Sequence, residues 1–238
     1  MLSRRRLMAI AAATVTARGS SGAEPVAADG DVDPEAFAIQ GIDVSHWQRS
    51  VDFKAVAAAG ITFCFCKATE GLDFTDPRFA DNWPAMREAG LIRGAYHFGR
   101  PGADAATQAE RFHDTVRPEG GDLPLVLDLE QTDGATPDEV RRWTETFVER
   151  LRSLQSAAPI IYAGLFFWRD KAGDGDALGC PLWLAAYVKT PSRYVPRAWE
   201  RWSFWQYTSK GSVAGVRGRV DRDAWYGDRA SFDAIRLG

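Results

Sequence analysis

Cysteine and histidine are scarce in this sequence, with three residues of each among 238. So few cysteines argue against a framework of disulfide bonds. Cys64 and Cys66 lie two residues apart in one predicted strand, where a bond between them would be strained. A metal site completed by Cys180 is conceivable, but buried thiols that only pack are much more common. We therefore assign the cysteines no chemistry and predict no metal and no other cofactor.

Long apolar runs are also missing, and the run inside "MLSRRRLMAIAAATVTA" (1–17) is too short to span a bilayer. Arginines directly before this run resemble a twin-arginine export signal, so we predict that residues 1–23 direct export to the periplasm or the cell exterior. No stable membrane anchor is predicted. The acidic, proline-bearing residues 24–38 are expected to form a linker, and residues 39–238 one barrel domain.

Positive charge is not in excess, because the formal net charge is −3. Removal of residues 1–23 would take away four arginines and no acid, which changes the charge to −7. An acidic protein gains little from the phosphates of nucleic acid, so nucleic acid is not expected as a partner. We expect a monomer.

Short β-rich runs alternate with helical patterns along the chain. The clearest helix is 137–155, whose start carries a capping-box pattern of Thr136 and Glu139 with Pro137 in the first turn. The later strands follow one another too closely for full helices. This order predicts an α/β fold, a modified TIM-like (β/α) barrel with regular βα units first and an irregular, β-rich second half. Eight strands are predicted, at 40–46, 61–68, 91–98, 123–130, 158–164, 181–187, 202–208 and 216–221.

Two acids end the apolar run of "LVLDLEQTD" (125–133). Side chains alternate along a strand, so Asp128 and Glu130 share one face with Cα atoms about 6.6 Å apart. Two carboxyls this close in a partly dry cleft do not both ionise easily, and the pKa of one rises. Such a pair suits general acid catalysis, although a DxE triplet by itself is weak support.

Other polar residues lie at the predicted carboxyl ends of strands, where barrel enzymes place their chemistry. Several acids at one barrel mouth are costly to desolvate, so function explains them more readily than stability does. These residues are Asp43, His97, Asp128, Glu130, Tyr162, Tyr187 and Asp221.

Several blocks of sequence, in one order, resemble family 25 of the glycoside hydrolases, the Chalaropsis-type lysozymes. The resemblance covers nearly all of residues 40–226 and is more specific than any single motif. The blocks are "GIDVSHWQ" (41–48), "KATEGLDFTDPRF" (67–79), "GAYHF" (94–98), "LDLE" (127–130), "PIIYAG" (159–164), "LWLAAY" (182–187) and "WQYTSKGSVAGVRGRVD" (205–221).

The resemblance implies hydrolysis of the β-1,4 bond between N-acetylmuramic acid and N-acetylglucosamine in peptidoglycan. It implies that Glu130 is the proton donor and that Asp128, Asp43 and Asp221 are the other catalytic acids. It also marks residues that line the sugar groove, to which we add His97: Tyr96, Tyr162, Trp183, Tyr187 and Trp205. The sequence departs from the family pattern at Arg49, where glycine is common, and at Asp223, where asparagine is frequent.

Two mechanisms remain open for such an enzyme. In the first, the 2-acetamido group of the substrate attacks the anomeric carbon, Asp128 holds that group, and Glu130 acts as acid and then base. In the second, Asp43 or Asp221 activates water and the configuration inverts.

Two other functions also remain open. One is a noncatalytic peptidoglycan-binding module, which would be expected to have lost one of the four acids. The other is a zinc amidase that uses His46, His97 and His113, although the spacing of these histidines is not typical of a metal site.

Overall fold

The computed structural model describes residues 31–155 and 157–238. The predicted export signal lies outside the described residues, as does the first part of the predicted linker. Within the described part, no helix is both long enough and apolar enough to cross a membrane.

Nine strands form one sheet that closes into a barrel. The order is β1-β9-β8-β7-β6-β5-β4-β2-β3, and pairing of β1 with β2 closes eight of the strands, while β3 extends the edge of β2. Strand β9 runs antiparallel to both β1 and β8, and the other barrel strands are parallel to their neighbours. The strands are β1 Gln40–Val44, β2 Phe63–Glu70, β3 Phe74–Thr75, β4 Ile92–Phe98, β5 Val126–Asp128, β6 Ile160–Ala163, β7 Leu182–Ala185, β8 Phe204–Gly211 and β9 Val220–Trp225.

Helices cover the outside of the first half of the barrel. In the second half, the connection between β7 and β8 contains a 3-10 turn at Pro191–Tyr194 in place of a full helix, and β9 follows β8 as an antiparallel neighbour. The predicted modified (β/α) barrel with an irregular second half is confirmed. The helices are α1 Phe53–Ala58, α2 Phe79–Glu88, α3 Ala105–Val116, α4 Pro137–Gln155, α5 Leu165–Lys171 and α6 Arg229–Ala234.

Two local predictions can be compared with these bounds. Helix α4 has the predicted limits, and its capping box is formed by Thr136 and Glu139, whose carboxylate accepts from the Thr136 backbone N–H at 2.8 Å. The last strand lies at Val220–Trp225, four residues later than predicted. Gly215 and Gly218, both at positive φ, turn the chain before it, so the strand cannot begin at residue 216.

Alternation along the strands separates an inner and an outer apolar layer. Phe63 and Phe65 point into the barrel, whereas Cys64 and Cys66 lie under the helices as buried free thiols. Glycine at position 41 makes room for this packing, because a Cβ there would lie 2.2 Å from the Phe63 ring. The inner layer fills the barrel below its mouth, so the mouth is closed at its base.

A buried ion pair ties β4 to the loop before β5. Arg93 donates to both carboxylate oxygens of Asp122, at 2.7 and 3.1 Å, and both side chains are buried. The guanidinium also lies 4.0 Å from the Trp83 ring centroid. The pair fixes the outer face of the barrel, away from the mouth.

The predicted boundary between linker and domain at residue 39 needs correction. Phe37 is buried, with its ring centroid 5.1 Å from that of Trp202 and 6.4 Å from that of Trp205. It covers the side of the barrel near β7 and β8, where full helices are absent. The packed domain therefore includes Phe37, because this aromatic ring covers a side of the barrel that no full helix covers.

Candidate active site

A pocket of about 220 Å³ opens at the carboxyl ends of the parallel strands. It brings together all four predicted catalytic acids, four of the predicted aromatic residues and one glutamine that was not predicted. Since these residues come from seven strands and the loops that follow them, only closure of the barrel places them in one pocket. The lining consists of Asp43, Tyr96, Asp128, Glu130, Tyr162, Trp183, Tyr187, Gln206 and Asp221.

The acid pair, Asp128 and Glu130, stands on one wall of this pocket. Leu127 and Leu129 alternate with the pair and are buried on the opposite face. Asp128 is buried, whereas Glu130 is exposed at the rim. Burial, and then the charge of Glu130, raise the pKa of Asp128 well above its usual value, and partial burial also raises the pKa of Glu130. The pair therefore holds a proton at a higher pH than ordinary carboxyls do.

One oxygen of the acid pair lacks a hydrogen-bond donor among the residues that the structure describes. Asp128 Oδ1 is buried and accepts no hydrogen bond from an N–H or hydroxyl of a described residue, and the hydrogen bond that the Asp128 carboxyl shares with Glu130 raises the pKa of Asp128 and lowers that of Glu130. Buried carboxylate oxygens are normally satisfied, so an orphan acceptor at the base of a pocket is available to a ligand N–H or O–H.

Lys67 supplies positive charge beside the acid pair. Its Nζ donates to Glu70 at 2.6 Å and lies 4.8 Å from the ring centroid of Phe98, which is the register neighbour of Asp128 on β4. The lysine charge lowers the pKa of Asp128 and of Glu130, against the larger effect of burial. Lys67 thus limits how strongly the pocket holds protons.

Gln206 connects an acid and two tyrosines in the pocket wall opposite the acid pair. Its Nε2 donates to Asp43 Oδ2 at 2.7 Å, and its Oε1 accepts from the hydroxyls of Tyr162, at 2.9 Å, and Tyr187, at 2.8 Å. Burial, followed by the charges of Asp223 and Asp221, raises the pKa of Asp43 well above its usual value, while the Gln206 bond lowers it. One side chain therefore fixes an acid and two aromatic rings of the pocket.

Two more acids come from β9. Asp221 is the register partner of Asp43, and burial raises its pKa. Asp223 lies one step deeper and is fully buried; its Oδ1 accepts from Trp183 Nε1 at 2.8 Å. Burial raises the pKa of Asp223 well above its usual value. This carboxyl supports a pocket wall and does not line the pocket itself.

Comparison with known proteins identifies the family. The family model described as Glycosyl hydrolases family 25 matches residues 42–216, well over half of the chain. The chain belongs to this family. It is therefore a glycoside hydrolase, and the resemblance noted from the sequence is confirmed.

Relatives of this family 25 enzyme include named lysozymes. Lysozyme M1 of Streptomyces globisporus is 38% identical over 210 residues, which cover 83% of this chain and 71% of the relative. The N,O-diacetylmuramidase of Chalaropsis sp is 31% identical over 203 residues, covering 77% of this chain and 96% of the relative.

Solved structures agree with the fold. The bacterial lysozyme from Streptomyces coelicolor superposes with a TM-score of 0.79 at 36% identity, covering 84% of this chain and 97% of that one. The family GH25 lysozyme from Aspergillus fumigatus gives a TM-score of 0.77 at 31% identity, covering 84% and 99%.

Two residues predicted to line the groove of this family 25 enzyme lie elsewhere. His97 is buried on the outer face of the barrel, next to the Phe112 and Phe147 rings. Trp205 is also buried outside, where its Nε1 donates to the Ala186 carbonyl at 2.6 Å. Each adjoins an inward residue on its strand, Tyr96 or Gln206. Neighbours on a strand face opposite sides, so these two predictions were wrong. The same alternation could have revealed Gln206, since Phe204 points inward.

The three histidines of the enzyme do not meet. Both ring nitrogens of His97 have protein partners, Thr69 Oγ1 at 2.8 Å and Gln108 Oε1 at 2.9 Å. His46 Nδ1 lies 2.8 Å from Asp76, and His113 is on α3. In residues 31–155 and 157–238, no three His, Cys, Asp or Glu side chains are arranged to hold a metal ion. The structure offers no observation that favours the zinc amidase hypothesis.

Proposed function

We propose that this family 25 hydrolase is a lysozyme that cleaves the β-1,4 bond between N-acetylmuramic acid and N-acetylglucosamine in bacterial peptidoglycan. Membership of the family and the lysozyme and muramidase names of several relatives support the substrate. The observation that carries the proposal is the acid pair, which shares one pocket with Asp43, Asp221 and three tyrosines.

Glu130 is the general acid of the proposed mechanism. Cleavage passes through an oxocarbenium-like state, so a protonated carboxyl must release the leaving oxygen while negative charge stabilises the ring. Glu130 reaches the rim, where a bound strand can contact it. The acid pair holds a proton at a higher pH than ordinary carboxyls do, and an N–H donated to Asp128 favours the ionised form of Asp128 and leaves that proton on Glu130. A substrate that covers Glu130 would exclude water from this carboxyl and raise its pKa further.

Asp128 orients the 2-acetamido group of the substrate in the same mechanism. The partnerless Oδ1 of Asp128 is an acceptor suited to the acetamide N–H. A held acetamide can attack the anomeric carbon, and the charge of Asp128 then stabilises the cyclic cation. Retention of configuration follows from this route. Inversion by a water that Asp43 or Asp221 activates is the competing route, and it requires the wider carboxyl separation of inverting enzymes.

Aromatic side chains form the sugar-binding surface in this proposal. Tyr187 is 56% exposed, although its hydroxyl is held by Gln206, so its ring offers a fixed face to a pyranose. Tyr96 and Tyr162 line the deeper wall, with Trp183 between them and the barrel interior. A noncatalytic binding module would also use such a surface, but it would not need all four acids.

Digestion of purified peptidoglycan by the full chain tests the proposal, with mass spectrometry of the new reducing ends. Muramic acid at those ends is the expected product. Glu130→Gln should lower kcat by at least about 10²-fold, the low end for positioned proton transfer. Glu149→Gln, an exposed position on α4, is the matched control and should keep full activity.

The products distinguish the alternatives. Glucosamine at the reducing ends would reverse the bond specificity. Free peptides without sugar cleavage would indicate an amidase, and binding without release would indicate the noncatalytic module. NMR of the first-formed anomer separates the mechanisms, because a β anomer supports participation of the acetamido group and an α anomer supports inversion.

We also propose that the enzyme acts outside the cytoplasm as a monomer. Its polymer substrate lies there, and the basic, apolar start of the sequence is typical of an export signal.

A further inference from the structure

A second surface depression lies beside the active site and has no role in the mechanism above. This rim patch, of about 510 Å³, is formed by Trp47, Gln48, Arg49, Ser50 and Arg217. Trp47 is 79% exposed, the highest value among the large hydrophobic side chains in the described part of the chain. Tryptophan is enriched at contact surfaces relative to the rest of a protein surface.

The rim patch adjoins the catalytic mouth. The turn His46–Gln48 follows β1 directly, just beyond Asp43. Arg217 precedes β9, which pairs antiparallel with β1 so that Asp221 faces Asp43. Both segments therefore leave the barrel at the same edge of the mouth, which places the rim patch beside the pocket.

The charge of the rim patch differs from that of the whole protein. Neither Arg49 nor Arg217 makes an ion pair with a described residue, although the chain carries a net charge of −3. Asp52, the nearby acid in the loop, caps α1 by accepting from the Ala55 N–H at 3.1 Å. Two guanidinium groups thus remain available to an outside anion.

The backbone at Arg49 points to the same surface. Its φ is 57°, a conformation that glycine adopts freely and arginine does not. Its carbonyl accepts from Arg78 Nε at 3.0 Å, which holds the strained turn in place. An arginine held in a backbone conformation that favours glycine indicates a function for its side chain.

We propose that the rim patch binds the carboxylate-bearing peptide stems of peptidoglycan while the glycan occupies the catalytic pocket. This inference rests on the proposed function. The stems are attached to the muramic acid units, so they project from a bound strand at the mouth. Arginine pairs with carboxylates through two parallel hydrogen bonds, and Trp47 supplies a flat apolar face for the peptide. The patch favours peptide-substituted strands over bare glycan.

The test compares two soluble polymers free of phosphate-containing wall polymers, one with its stems and one whose stems an amidase has removed. The measured quantity is KM on the first polymer relative to KM on the second. In the double variant Arg49→Gly/Arg217→Gln this ratio should rise about fivefold, as expected for two exposed ion pairs of ordinary strength. Trp47→Ala should raise the same ratio.

Arg117→Gly is the matched control. Arg117 is exposed at φ 49° and ends α3, at the opposite end of the barrel, so the change removes the same charge from another residue at positive φ. Its KM ratio should equal that of the wild type. Because Arg49→Gly relieves backbone strain, the Tm of that variant should not be lower than the Tm of the wild type.

An unchanged ratio in the double variant would overturn the inference, whether both KM values stay constant or rise together. If the wild type cleaves neither polymer, the proposed lysozyme function is wrong. Binding of peptide stems by the rim patch is then tested by co-sedimentation with insoluble, peptide-bearing peptidoglycan. Weaker sedimentation of the double variant than of Arg117→Gly then supports the rim patch, and equal sedimentation overturns it.

Discussion

Replacement of Gln206 by methionine gives a sharp test of the polar network behind the pocket. Methionine preserves the volume but removes the donor to Asp43 and the acceptor for the Tyr162 hydroxyl, two bonds in a buried region. A bond to a charged group contributes about 1.5–3 kcal/mol, and an orphaned buried hydroxyl costs about 1–3 kcal/mol. Tyr187 is half-exposed and can bond to water, so it adds little. We expect Gln206→Met to lower the free energy of unfolding by about 2.5–6 kcal/mol.

The loss should depend on pH. Burial raises the pKa of Asp43, and the Gln206 bond lowers it, so the folded-state pKa is higher still in the variant. A carboxyl with a raised folded-state pKa binds more protons in the folded protein, so stability falls as pH rises through that pKa. The Gln206→Met variant loses more stability than the wild type as pH rises, because its ionised Asp43 has no hydrogen-bond donor. The difference should therefore be smallest near about pH 4 and widen toward about pH 8.

Urea unfolding across this pH range measures the effect. Tyr187→Phe is the control, and it should cost less than about 1 kcal/mol because its hydroxyl is accessible to water. If Gln206→Met stays within about 0.5 kcal/mol of the wild type near about pH 8, the network does not stabilise the pocket and the reasoning is refuted.

Three further predictions address Lys67, Arg93 and Trp205. Lys67→Met should raise the pKa of both carboxyls of the acid pair, so both limbs of the pH profile of kcat/KM should move to higher pH. Lys67→Arg keeps the positive charge and should leave both limbs in place. A shift of one limb alone would contradict an influence of the lysine on both carboxyls. Arg93→Met removes the buried partner of Asp122, which keeps the Glu119 N–H at 2.8 Å and a longer contact to Arg87 at 3.5 Å. It should lower the free energy of unfolding by about 3 kcal/mol in urea titrations, the low end for a broken buried pair, with kcat unchanged while the protein is folded. Trp205→Phe should lower the free energy of unfolding by about 1–3 kcal/mol, because the Ala186 carbonyl loses its hydrogen-bond donor, but it should leave KM for peptidoglycan unchanged. A raised KM would indicate that Trp205 contacts the substrate.

Sequence alone predicted most of the barrel strands in order, the α4 cap and the four acids, because each depends on residues close together in the chain, whereas it missed β3 and placed the last strand four residues too early. Alternation along a strand puts Asp128 and Glu130 on one face wherever the strand lies. The blocks that resemble family 25 identified the reaction class for the same reason, since each block is a short local pattern.

Only the tertiary structure decided which residues meet. Gln206 bonds to an acid 163 positions away in the chain, and that contact exists because β9 inserts between β8 and β1 in a particular register. Likewise, Phe37 belongs to the core because helices are absent on one side of the barrel. Barrel closure fixes such contacts across long sequence separations, and a shift of one residue in strand register would turn each inward side chain outward.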